Sequence, residues 1–191
     1  MSIITNGMKL IIVRHGETEE NAKHLIQGHL PGKLSKKGIR QARKVASALK
    51  NEKIDAIFSS DLGRSKSTCR EISKYHSVPI RYTKKLRKSS AGIYTGKPKS
   101  VIRCAYLSAY AKGISKITFK PEGGESILEV KRRIMIFVNH LYPRYKYKSI
   151  VLVTHGEVAG ILMHIHNRIP ISDALRAKPG CGEIVRIKVR D

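Results

Sequence analysis

Two short segments of this chain end alike. Residues 10–13 read Leu-Ile-Ile-Val and lead into Arg14-His15-Gly16, and residues 151–153 read Val-Leu-Val and lead into Thr154-His155-Gly156. Each apolar run suits a buried strand, so each histidine falls at a strand's carboxyl end, and the glycine after it permits a sharp turn and close backbone approach. In open α/β sheets ligands bind beyond the carboxyl ends of the strands, so both imidazoles can converge on one crevice. Arg14 adjoins the first histidine, and Arg64 stands at the start of the helix that follows a strand at 54–58. A guanidinium offers a planar fork of donors that matches phosphate oxygens, and a neutral imidazole is a competent nucleophile at physiological pH. Two guanidiniums beside two imidazoles suit phosphoryl transfer, which needs mainly positioning and charge stabilisation. The chain carries no Gly-rich phosphate loop and no acidic cluster for magnesium, which disfavours a nucleotide kinase or a two-metal phosphatase. Neither a metal nor a cofactor is expected.

The elements that must position these groups alternate. Strands are expected at 9–13, 54–58, 78–82, 149–153 and 183–189, the last edge-like. Helices are expected at 36–50, where Ser35 can cap and Ile39, Ala42, Val45, Ala46 and Leu49 share a face, and from Asp61 or Ser65 to about Tyr75. Further helices are expected at 99–111, 125–141 and 157–166, with a turn at 121–124. Alternating strands and helices predict a layered α/β fold with a mainly parallel sheet.

The 191 residues suit a single domain, 1–191, and 41% hydrophobic content marks a globular chain. No apolar run approaches the roughly 20 residues that span a bilayer, and Met1 to Lys9 lacks the layout of a signal peptide; a cytoplasmic location without membrane contact is expected. Cys69, Cys104 and Cys181 are widely spaced and form no CxxC, so reduced structural thiols are expected in place of a disulfide or zinc site. Lys and Arg total 38 against 14 Asp and Glu, a net charge of +24. A field of that strength attracts small phosphorylated compounds and polyanions alike.

Arg14-His15-Gly16-Glu17-Thr18 resembles the RHGET signature of the histidine phosphatase superfamily, whose members include phosphoglycerate-mutase-like enzymes. The resemblance continues through Asn21, Gln27-Gly28, Leu34-Ser35, Gly38, Gln41-Ala42, Ser59-Ser60-Asp61-Leu62 with Arg64, Gly123-Gly124-Glu125-Ser126 and Thr154-His155-Gly156, in order over roughly residues 9 to 160. It implies a three-layer α/β/α sandwich with a mixed, mainly parallel sheet whose last strand runs against the others. It also implies a metal-independent phosphomonoesterase in which His15 becomes a phosphohistidine. Arg14, Arg64 and His155 would hold the phosphoryl oxygens, with Gly156 beside them. Asn21 would add a hydrogen bond, and the Gln27-Gly28 loop would line the entrance to a phosphorylated small-molecule substrate.

One position departs from the family pattern. The segment Leu86-Arg87-Lys88 is followed by Gly92 and Gly96 in the family's register, but Lys88 stands where a glutamate serves as proton donor. General acid catalysis is worth roughly 10²–10⁴-fold, so turnover of alkyl phosphates should be weakened. Lys88 itself, Glu125 and Glu157 are the candidate donors. Two other readings of the same motifs stay open: a phosphoglycerate mutase, and a non-catalytic phosphate-binding pseudoenzyme. A nucleic-acid partner is a third, suggested by the charge and by tyrosines alternating with cations at 142–148; the competing view there is a helix end with half-buried tyrosines. Specificity is assigned to residues of about 85–120.

Overall fold

Strands β1 (Met8–Arg14), β2 (Ala56–Ser60), β3 (Ile80–Thr83), β4 (Ser149–Thr154) and β5 (Ile184–Val189) form one sheet in the order β3-β2-β4-β1-β5. These elements come from a computed structural model that describes residues 7–189; the part of the Met1 to Lys9 segment before Gly7 lies outside the described residues. β1 and β4 are parallel neighbours, with Val13 opposite Val153 and Arg14 opposite Thr154. That register places the two histidines on adjacent strand ends, and the His15 amide donates to the Thr154 carbonyl at 3.0 Å. β2 lies parallel to β4 on its other side, and β5 runs antiparallel along β1, as the family resemblance implies.

Every residue of β2 is buried, as is nearly all of β1 and β4, because helices cover both faces of the sheet. Ile11, Val13, Ile57, Val151 and Val153 point to one face and meet Val45, Leu49 and Ile72 from α2 (Lys36–Leu49) and α3 (Gly63–Ser73). Leu10, Ile12, Ile150 and Leu152 point to the other and meet α5 (Ile127–Tyr145) and α6 (Gly156–Asn167). This is the period-2 alternation of strands, apolar on both sides since neither side meets water. The result is the expected three-layer sandwich.

Several boundaries differ from those expected. β2 ends two residues later than 58 and carries Ser59 and Ser60, fully buried, to its tip. α5 begins at Ile127 because Ser126 and Glu129 form a reciprocal capping box, and it runs past Pro143 to Tyr145. Tyr145 is buried, with its ring edge-on to Phe58 at 5.7 Å, so the run of tyrosines and cations at 142–148 is partly core and not a continuous stacking platform. α1 (Glu19–Ala22) and α7 (Ile171–Arg176) were not expected; α4 (Lys99–Ala111) was, with these bounds. No helix among the described residues is long and apolar enough to cross a membrane. Cys69, Cys104 and Cys181 are free thiols.

Candidate active site

His15 is only 4% exposed. Its Nδ1 lies 2.7 Å from the Gly16 carbonyl, an acceptor only, so Nδ1 carries the proton and Nε2 keeps its lone pair. Burial pushes its pKa well below the usual imidazole value, and the positive charges of Arg64, Arg14 and Lys88 add to this against the Gly16 hydrogen bond. The ring is therefore neutral at physiological pH, with a free nucleophilic nitrogen.

His155 stands at the position just before α6, with no side-chain bond to the helix end, and meets His15 edge-on, ring centroids 5.1 Å apart. The Arg64 Nε donates to its Nδ1 at 3.4 Å, so Nε2 carries the hydrogen and donates to Ser60 Oγ at 3.0 Å. Burial, then Arg64 and His15, holds this ring neutral too.

Arg64 is 1% exposed, at the start of α3. The 28–31 loop wraps it: NH2 donates to the Gly28 carbonyl at 3.0 Å and NH1 to the Leu30 carbonyl at 2.6 Å. Burial lowers its pKa to about 10, which leaves it charged at neutral pH. Gly28 makes this loop possible with a φ of +49°, where a side chain would be strained. Arg14 donates from NH1 to the Pro179 carbonyl at 2.8 Å, while its buried Nε has no acceptor among the described residues. Gly156 leaves room for that guanidinium, since a Cβ there would lie 3.0 Å from Arg14 NH1.

Arg14, His15, Arg64, His155, Gly156 and Lys88 line one cavity of about 230 Å³, with Asn21 and Gln27 at its edge. Asn21 accepts from the Thr18 amide as part of the α1 cap, leaving its NH2 group for a ligand. Gln27 donates to Thr18 Oγ1, and its buried Oε1 has no donor among the described residues. Gly28 acts one step back, through Arg64.

Lys88 is half-buried, and its backbone is clamped. The Lys88 carbonyl accepts from His29 Nε2 at 2.9 Å and from Arg133 NH2 at 3.2 Å. The amides of Ser89 and Ser90 donate to Glu157 Oε1 and Glu125 Oε2 at 3.1 and 2.9 Å. Burial lowers the Lys88 pKa, Arg64, Lys99 and Arg14 lower it further, and Glu157 opposes them. Burial alone would raise the pKa of Glu125, but Arg133, the Ser90 amide and His29 together hold it below the usual range. Glu125 is thus an ionised clamp for the loop and a poor proton donor, whereas Glu157 lines the cavity itself.

Ser60 and Lys178 were not expected at the site, and Lys99 was covered only by the specificity region of about 85–120. Lys99 had a signal: it is a cation in the first turn of α4, which has no acidic residue there, against the preference of the helix dipole. Lys178, 163 positions from His15, had none. Among the described residues no group of three or more His, Cys, Asp or Glu side chains is placed to hold a metal.

Residues 10–191 match the family model of the histidine phosphatase superfamily (branch 1). The chain is 33% identical to phosphoglycerate mutase-like protein 4 of Arabidopsis thaliana, over 84% of this chain and 70% of that one. It is 32% identical to a metal-independent phosphoserine phosphatase of the same plant, over 84% and 68%. Some curated relatives are longer, and the chain spans about half their length. A mycobacterial glucosyl-3-phosphoglycerate phosphatase solved in complex with VO3 superposes with a TM-score of 0.80 at 26% identity, over 93% of this chain and 90% of that one.

Proposed function

This chain belongs to the histidine phosphatase superfamily, branch 1, and from that premise we propose that it is a metal-independent phosphomonoester hydrolase working through a phosphohistidine on His15. The observation that carries the reading is the unoccupied Nε2 of His15, set by the Nδ1 hydrogen bond to Gly16 in a cavity shared with Arg14 and Arg64.

The Nε2 lone pair attacks phosphorus, an N–P bond forms, and the bond from phosphorus to the ester oxygen breaks. Arg14 Nε and the remaining guanidinium donor of Arg64 face the negative charge on the phosphoryl oxygens. Water then attacks the phosphohistidine, releasing phosphate and restoring the imidazole. Fixed guanidiniums supply the charge stabilisation that a metal supplies elsewhere. The plant relative's description as metal-independent supports the same reading.

The departing oxygen needs a proton unless it is already a good leaving group. The Lys88 ammonium lines the cavity and its lowered pKa makes it a better acid than a free lysine, though weaker than a carboxylic acid. Hydrolysis is therefore biased toward aryl phosphates. The substrates are small phosphorylated molecules, and three unpaired thiols fit a reducing, cytoplasmic setting.

The test is a panel of aryl and alkyl phosphomonoesters, each assayed with and without chelator, on the wild type and on His15→Ala. Chelator-resistant hydrolysis that His15→Ala abolishes is expected. Hydrolysis that disappears with chelator would overturn the metal-free mechanism, and a wholly inactive panel would favour a binding role.

A further inference from the structure

The cavity around His15 holds more positive charge than one phosphoryl group can answer. Arg14, Arg64, Lys88, Lys99 and Lys178 all line it, against the single carboxylate of Glu157, and both histidines are neutral. A bound phosphoryl dianion and Glu157 together offset three of those five charges. The rest falls on the lysines, with Lys88 half-buried in the lining and Lys99 and Lys178 exposed at its rim, while Glu20 acts on Arg64 from outside the lining; the charge left over is where a second anionic group of a ligand can reach it. Among the described residues neither Lys88 Nζ nor Lys99 Nζ has a hydrogen-bond or ion-pair partner. Lys178 Nζ donates to the Leu175 carbonyl at 2.8 Å, which leaves its charge uncompensated. The crowding is mutual: Lys99 and Arg14 both help to lower the Lys88 pKa, and Arg14 helps to lower that of Lys178.

Two of the three lysines, Lys88 and Lys99, lie toward a second opening. Lys88, Lys99 and Glu157 also line an adjoining groove of about 330 Å³, whose walls are apolar at Ile102, Tyr106, Phe119 and Ile127. α4 buries none of its residues fully; Lys99, Ile102, Arg103 and Tyr106, a single helical stripe, all line this groove. A helix that contributes so little to the core and turns its stripe to an open groove is free to meet a ligand there.

We infer that Lys88, Lys99 and Lys178 form a second anion subsite, so that the substrate is a phosphomonoester whose leaving group carries another anionic group and an apolar body lodged along α4. This rests on the phosphatase reading above for the word substrate, but not for the binding. Lys88 lines both openings, so its ammonium, beside the departing oxygen, also adds charge toward the anionic group that Lys99 and Lys178 hold.

The binding test uses unreactive probes. The 3- and 4-carboxybenzylphosphonates are each titrated calorimetrically against the corresponding carboxamide, which has the same shape without the charge. At least one carboxylate should bind about ten-fold more tightly, the worth of one charge-assisted contact. Its advantage should shrink toward parity in Lys88→Met and Lys99→Met, return in Lys99→Arg, and fade as salt rises. Equal binding of acid and amide by the wild type would overturn the subsite, as would a preference that both methionine variants retain. Hydrolysis of the matching carboxyphenyl phosphates separates the two claims: discrimination without turnover would leave the subsite standing and remove the phosphatase reading, whereas turnover without discrimination would do the reverse.

Discussion

His15 and His155 leave neighbouring parallel strands at the same register and meet edge-on, with ring centroids 5.1 Å apart. The two rings hold opposite tautomers. His15 gives its Nδ1 proton to a backbone carbonyl and keeps Nε2 open, while His155 receives Arg64 on Nδ1 and gives its Nε2 proton to Ser60. A second proton on His155 would meet the Arg64 donor at Nδ1, and burial and the nearby guanidinium charge of Arg64 oppose one on either ring.

Stability should fall on the acid side of neutrality for this reason. Both imidazoles have folded pKa values well below the usual 6.5, chiefly through burial. As pH drops through 6.5 the unfolded chain takes up protons that the folded chain refuses. The stabilisation is therefore present above that pH and is lost below it, by up to about 1.4 kcal/mol per pH unit for each histidine. Urea midpoints taken between about pH 7.5 and 5.5 should show this slope, and His155→Gln should flatten it. An unchanged slope in that variant would contradict the assignment. Activity, by contrast, should show no acid limb at 6.5, because the nucleophile stays unprotonated.

Lys88→Glu should raise kcat for alkyl phosphates by about 10²-fold and change aryl phosphates much less, since only the poor leaving group depends on a donated proton. The clamped backbone at 88 offers a carboxyl group the same starting point as the lysine. Matching kcat values for alkyl esters in the two proteins would show that proton donation is not what this position limits.

Arg64→Lys should cost about 10²–10³-fold in kcat/KM for aryl phosphates, the scale of losing one preorganised donor. An ammonium cannot reach the Gly28 and Leu30 carbonyls and His155 together, so stability should fall as well, by about 1–3 kcal/mol for each buried carbonyl left unpaired. Steady-state kinetics and urea unfolding measure the two effects separately.

Gly38→Ala tests the packing beneath the nucleophile. In a helix this change ordinarily stabilises by up to about 1 kcal/mol. Here the new Cβ would lie 1.9 Å from the Glu17 carbonyl oxygen, a backbone atom that cannot swing away. Steric cost should win, leaving the variant less stable by about 2 kcal/mol. Since the Gly38 carbonyl in turn packs against Gly16, the same change should misplace His15 and lower kcat.

The two histidine-bearing strands were legible because an apolar run followed by His-Gly is a local pattern. Their convergence on one crevice was expected from the matching strand ends, but their adjacency was not legible, because strand order depends on contacts between residues some 140 positions apart. Ser60 was quoted only within a motif and given no role, because the strand was expected to stop at 58, yet it continues through Ser59 and Ser60 into the site. α1 is a single turn held by the Thr18–Asn21 side-chain exchange and has no periodicity to read. Lys178 joins the cavity solely through the path of the chain after α7, which no local signal encodes.

Rapid quenching of a single turnover with a phosphate-labelled aryl phosphate tests the role of His15 most directly. An acid-labile, base-stable phosphoenzyme should form before phosphate is released, map to His15, and be absent in His15→Ala. Release of phosphate by the wild type with no such species, or its persistence in the alanine variant, would contradict covalent catalysis at His15.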